Sequence, residues 1–184
     1  MPDTLAWRTN SGAGGNTRLS VNTDSIVDDE GQRMVVNGKA VAWNGLDAAF
    51  VQLDRTWSPM FRAGRRPVRV TVMGAGDIGK HAVEAATKYG DLQRNEGYAA
   101  RQMPGVEVVT IGRNLTSHAR YLHERLSATD VLVDATQRDD PSRPIVSNDE
   151  IGLLPEHAVI CDLVVDPYLL EDDPPTVRGI EGIP

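Results

Sequence analysis

Apolar positions in this chain fall into short β-branched runs, separated by stretches in which they recur every three or four residues. Val68-Arg69-Val70-Thr71-Val72-Met73, Val106–Ile111, Asp130–Asp134 and Ala158–Val165 read as strands. Runs this short and this apolar suit parallel strands covered on both faces. The intervening patterns are helical. From about Asn44 to Trp57, Leu46, Ala49, Phe50, Leu53 and Trp57 form a stripe that Ser58-Pro59 stops. Lys80 to Tyr89 continues a face begun by Ile78, with Ala82, Ala85, Ala86 and Tyr89. Leu115 to about Leu126 places Leu115, Ala119, Leu122 and Leu126 on one side. Ser147-Asn148-Asp149-Glu150 has capping-box spacing and opens a short helix to Leu154. Strand and helix alternate, so the expected fold is α/β: a Rossmann-like, doubly wound parallel sheet with helices on both faces.

Outside those elements the pattern weakens. Residues 1–43 read as an irregular N-terminal segment, and residues 44–184 as the α/β domain. Asn10–Thr17 reads as a glycine-rich loop rather than an anion-binding nest, because no clear strand leads into it. Arg33–Trp43 holds an Asn-Gly pair that fits either a hairpin or a link into the next helix. Arg62–Pro67 reads as a solvated basic turn, and Gly90–Gly105 as a polar excursion longer than the usual return loop. The Pro- and Asp-rich tail has no terminal signal, which points to a fragment of a larger two-domain protein.

Composition narrows the function classes. A net charge of −7 and a pI near 5.0 exclude a nucleic-acid role, which needs clustered Lys and Arg. The one cysteine, Cys161, allows no disulfide within the chain and reads as a buried, inert thiol. His118 and His123 read as surface residues, since no Cys or carboxylate completes a ligand set, and no metal is expected. No apolar run approaches the ~18 residues a membrane span needs, and no signal peptide is visible. A cytoplasmic location follows as the expectation.

The candidate chemistry lies after the first strand. Gly74-Ala75-Gly76-Asp77-Ile78-Gly79 has G-x-G-x-x-G spacing, with a strand before it and a helix after it. Gly74 turns the chain tightly, Gly76 lets the backbone approach a pyrophosphate, and Gly79 lets helix and strand pack closely. The helix N-terminus then favours phosphate. The second strand ends in Gly112-Arg113-Asn114 instead of the Asp or Glu usual for NAD. Loss of a carboxylate and gain of a guanidinium favour a 2′-phosphate, and so NADP over NAD. Asp134, Ala135 and Thr136 end the next strand and are candidates over the cofactor, against simple local capping. Asp162 lies inside the last strand, and Asp166 lies where that strand delivers side chains to the nicotinamide end.

With those residues in place, the chain resembles the NAD(P)-binding domain of the alanine dehydrogenase and nicotinamide nucleotide transhydrogenase family. The resemblance spans roughly residues 40–184. It rests on Val72–Gly79, shared by all Rossmann domains, and on Glu156–Asp166, a strand with one Asp inside and one at its end. It implies that Gly74, Gly76 and Gly79 form the pyrophosphate loop and that Asp166 is the catalytic aspartate beside the nicotinamide. The family's substrate-binding lysine and catalytic histidine belong to a domain not visible here, and Gly112-Arg113 departs from its acidic residue. The family is often oligomeric, which makes a homo-oligomer the expected assembly. The leading expectation is the cofactor domain of an oxidoreductase that passes hydride between nicotinamide and a small substrate such as an amino or imino acid. The alternative is a nucleotide-sensing Rossmann module without chemistry. A methyltransferase is a distant third, because the second strand lacks an acidic end.

Overall fold

The computed structural model describes residues 37–136 and 144–164. The chain divides between Asn37 and Gly38, and the second unit carries the sheet and its helices. The glycine-rich stretch Asn10–Thr17, residues 33–36 and the tail with Asp166 lie outside the described residues.

Four parallel strands form one sheet: β1 (Val68–Met73), β2 (Val106–Ile111), β3 (Val131–Asp134) and β4 (Val159–Asp162), in the order β2-β1-β3-β4. Val68 stands opposite Val106, Met73 opposite both Ile111 and Asp134, and Asp134 opposite Asp162. β1 and β2 have the bounds read from the sequence. Pro67 and Gly105 before them and Gly74 and Gly112 after them punctuate both runs. The fold is the expected α/β, Rossmann-like arrangement.

Period-two alternation distributes the strand side chains between two cores. Val68, Val70, Val72, Val131 and Val133 face one core, which is completed by helices α1 (Gly38–Thr56) and α2 (Asp77–Ala86). Met73, Ile111 and Leu132 face the other, where Leu122 and Leu126 of α5 (Ala119–Leu126) and Val146 cover them. Helices therefore lie on both faces.

Several readings of the chain need correction. α1 starts at Gly38, not at about Asn44, so neither the hairpin nor an irregular segment reaching residue 43 is present over 38–43. Gly38, Ala42, Leu46, Ala49, Phe50 and Leu53 are buried along one continuous stripe, and that periodicity overrides the turn preference of Asn37-Gly38. The excursion after Tyr89 contains helix α3 (Leu92–Ala100). Asp91 caps it by accepting the Arg94 N–H at 2.7 Å, and Tyr98 buries its ring against Tyr89 at 4.8 Å between centroids. The single helix expected over 115–126 is two, α4 (Arg113–Thr116) and α5, because the backbone at His118 is non-helical. Leu115 and Ala119 are consequently exposed, and only Leu122 and Leu126 are buried. The capping box at Ser147 is present and opens α6 (Asn148–Ile151).

The basic turn is solvated only in part: Arg62, Ala63, Gly64 and Pro67 are exposed, but Arg65 and Arg66 turn inward. Arg65 is buried and donates to the Met60 carbonyl at 2.8 Å and to the Tyr89 hydroxyl at 3.1 Å. Arg66 holds fully buried Asp130 with two hydrogen bonds at 2.5 and 2.6 Å and lies 4.9 Å over the Trp57 ring. Asp130 also accepts the Arg69 N–H at 2.8 Å and contacts His157 Nε2 at 2.8 Å. Burial pushes the Asp130 carboxyl up, but the Arg66, Arg69 and His157 bonds outweigh it and hold the group below its ordinary value. This network ties the amino-terminal edge of the sheet together, opposite the edge where the candidate site lies.

Candidate functional site

The order β2-β1-β3-β4 creates a switch point. The chain leaves β1 in one direction to form β2 and returns on the other side to form β3. Ligands of open α/β sheets bind outside the carboxyl ends of the strands at such a point. Here that position is built from the segments that follow β1, β2 and β3. The Gly74 N–H donates to the Ile111 carbonyl at 3.0 Å, and the Ala135 N–H donates to the Met73 carbonyl at 2.9 Å. Gly74–Gly79, Gly112–Asn114 and Asp134–Thr136 are thereby brought to one edge.

The three glycines of the loop answer three different demands. Gly74 has φ +98°, and a Cβ on it would stand 2.4 Å from the Ala135 carbonyl oxygen. It must therefore be glycine for both conformation and close approach. A Cβ at Gly79 would stand 2.1 Å from the Gly74 carbonyl oxygen, which fixes how closely α2 meets the strand end. Gly76 differs. Its backbone is extended, it is exposed, and a Cβ there would meet no atom within 4 Å. Neither packing nor backbone conformation demands glycine at that position.

Gly76 is the N-cap of α2, a ten-residue helix that opens with Asp77. Ala75 and Asp77 are exposed, and Ile78 is half-buried against the first core. Asp77 sits beside the start of α1: a Cβ at Gly38 would stand 2.8 Å from its Oδ2. A carboxylate in that position is stabilised by the amino-terminal dipole of α1 as well as that of its own helix.

Gly112 is the N-cap of α4, and Arg113 and Asn114 are exposed at its start. Asp134 is fully buried, and its Oδ1 accepts both the Thr136 N–H at 2.9 Å and the Thr136 hydroxyl at 2.7 Å. Those bonds hold the Ala135–Thr136 turn against Gly74, so this pair does cap the strand end locally. Asp162 repeats the device one strand away, accepting the Val164 N–H at 2.9 Å. It is half-buried.

Cys161 lies on the opposite face of β4 from Asp162, beneath α1. Burial, with the Asp162 charge adding to it, has its thiol pushed up to about 12. His118 and His123 are exposed, and no cluster of three potential metal ligands occurs among the described residues. No described helix is long and apolar enough to cross a membrane. Arg69, Glu107 and Arg125, which line a cavity on the α5 side of the sheet, carried no sequence signal beyond being charges near apolar runs.

No family model matches the chain, and no curated protein matches it. Among solved structures it is similar to an L-alanine dehydrogenase, with TM-score 0.42 and 14% identity over 76% of this chain and 42% of that one. It is also similar to a putative D-3-phosphoglycerate dehydrogenase from Ralstonia solanacearum, with TM-score 0.42 and 19% identity over 71% of this chain and 44% of that one. A third is a dipicolinate synthase subunit from Bacillus halodurans, with TM-score 0.36 and 15% identity over 70% of this chain and 41% of that one. The chain thus spans about two fifths of the length of each.

Proposed function

We propose that this chain binds a nicotinamide dinucleotide across the β1/β3 switch point and serves as the cofactor module of an oxidoreductase. The observation that carries the reading is Gly76. It is exposed at the start of α2, and a Cβ on it would touch nothing in the protein. A pyrophosphate resting on the α2 N-terminus would occupy that space and supply the missing reason for glycine. Gly74 and Gly79 are already accounted for by packing, so they support the loop's shape and not its ligand.

The finer parts of the reading follow from the residues around it. Arg113, exposed at the end of β2 with no acidic residue at the strand's tip, favours NADP through pairing with a 2′-phosphate. Asp166 is the proposed catalytic residue. It follows β4 in sequence and lies outside the described residues. The nicotinamide ring supplies hydride chemistry, and the chain's own residues bind and orient it. The small substrate, with an amino or imino acid as the candidate class, and the base that moves its proton are assigned to a domain beyond this one.

Gly76→Val tests the site. The valine side chain would stand where the pyrophosphate lies, so calorimetric binding of NADPH should weaken by at least about a hundredfold, about 3 kcal/mol, while the melting curve stays put. Unchanged binding in the folded variant refutes the site. Asp166→Asn in the complete protein separates catalysis from sensing: an enzyme loses turnover and keeps binding, whereas a sensor loses neither.

A further inference from the structure

The α5 side of the sheet is covered unevenly. Leu122 and Leu126 close over Met73 and Ile111 near the carboxyl edge. Toward the amino edge lies a cavity of about 300 Å³, bordered by Arg69, Val70 and Thr71 of β1, Glu107 and Val109 of β2, Arg125 in the last turn of α5 and Ala128 just beyond that helix. That volume is at the lower end of small-molecule sites, about 300–1,000 Å³. Arg69 lies five residues before Gly74 along β1, roughly 16 Å at strand rise, so the cavity and the glycine loop are separate places.

The chemistry of the lining is specific. Arg69 and Glu107 are register partners and approach only to 4.0 Å, with side chains 42% and 53% exposed. A pair this loose and this wet contributes little to stability, and both groups retain capacity for a ligand. Arg125, whose guanidinium lies 6.0 Å over the Tyr121 ring, borders the cavity as a second cation. Thr71 is nearly fully buried, and its hydroxyl lies 2.7 Å from that of Thr129. The Thr129 hydroxyl proton goes to the Arg125 carbonyl at 2.7 Å, so Thr71 must be the donor in the Thr71–Thr129 bond. Thr71 therefore offers only an acceptor to the cavity. The lining presents two cationic forks, one carboxylate and one neutral acceptor, with Val109 and Ala128 as apolar wall.

The geometry points to a binding site for a dicarboxylic α-amino acid. Two carboxylates pair with Arg69 and Arg125, the ammonium pairs with Glu107 and Thr71, and the short methylene body lies on Val109 and Ala128. Ligand and lining then match charge for charge, which a simple anion or a neutral amino acid does not achieve. The site stands apart from the dinucleotide loop and is a second ligand site, not part of the proposed chemistry.

Calorimetric titration of the full chain with L-glutamate, L-glutamine and glutarate tests it. Glutamate should bind saturably. Glutamine lacks one carboxylate and glutarate lacks the ammonium, so each should bind at least about tenfold more weakly, one charge-assisted pair being lost. Arg125→Met should weaken glutamate by a similar factor without changing the melting curve or NADPH binding. Glu107→Gln should weaken glutamate while glutarate, a dianion relieved of a neighbouring negative charge, binds at least as tightly as before, a pattern that mere loss of folding does not produce. No saturable glutamate binding by the folded chain, equal affinity for glutarate, or unaltered binding in both variants overturns the proposal.

Discussion

Gly74, Gly76 and Gly79 share one motif, yet a methyl group meets a different fate at each. At Gly79 the helix gains about 1 kcal/mol of propensity from Ala, but the new Cβ stands 2.1 Å from a carbonyl oxygen. Overpacking against backbone wins, and Gly79→Ala should lower unfolding free energy by about 2 kcal/mol. Gly76→Ala should lower it by no more than about 1 kcal/mol, the preference for glycine over alanine at an N-cap, since nothing lies within 4 Å and the backbone is extended. Denaturant midpoints of the two variants check the contrast, and a comparable loss at both contradicts it. Spacing alone predicted a role for each glycine, but it could not say which roles the fold itself enforces. Asp134 and Thr136 stand out in the sequence as polar residues at a strand end, but the bonds between them arise only in the folded turn.

Asp130 makes the stability of the chain depend on pH. Its carboxyl is held below the ordinary value, so its contribution to stability is fully present above the unfolded carboxylate pKa of about 3.9. That contribution is lost as pH falls through the depressed folded value. Asp130→Asn should cost about 2–3 kcal/mol at neutral pH, toward the lower end for a broken buried pair because the Arg66 side chain remains 35% exposed. The variant should also flatten the acid limb of the stability curve below about pH 4. Urea unfolding at a series of pH values reads both effects; an acid limb as steep as in the parent chain contradicts the assignment. Nothing in the sequence pattern announces this network, because Arg66 and Asp130 are 64 residues apart and a basic turn beside proline resembles any solvated loop.

Among the elements, β1 and β2 were readable because β-branched runs end abruptly at glycine or proline on both sides. α3 was not, because Leu92–Ala100 contains Gly97 and buries only Tyr98, leaving no apolar stripe to detect. Its existence depends on the Asp91 cap and on Arg94, which donates to the Tyr89 carbonyl and pairs with Asp47 at 2.8 Å. α1 shows the opposite lesson: its stripe was partly read, but Gly45 hid a close approach to β4. A Cβ at Gly45 would stand 2.3 Å from Leu163 Cδ2 and 3.2 Å from Cys161 Sγ. That seal keeps Cys161 protonated and covered, so thiol-alkylating reagents at neutral pH should leave the folded chain unmodified and label it on unfolding. Labelling at the same rate with and without denaturant would show that α1 does not close over β4.

At the scale of the molecule, the parallel sheet divides its labour between two edges. The amino edge holds Arg66, Asp130 and His157 in a cross-linked network, while the carboxyl edge carries the glycine loop and the ends of β2 and β3. The order β2-β1-β3-β4 puts the switch point at that second edge, where the proposed dinucleotide would lie, and the strands are legible in the sequence but their order is not. Calorimetric titration of the chain with NADPH and, separately, NADH tests the dinucleotide site most directly. Saturable binding of both is expected, tighter for NADPH, with the difference removed by Arg113→Ala. Binding of neither nucleotide by a folded sample would contradict the site.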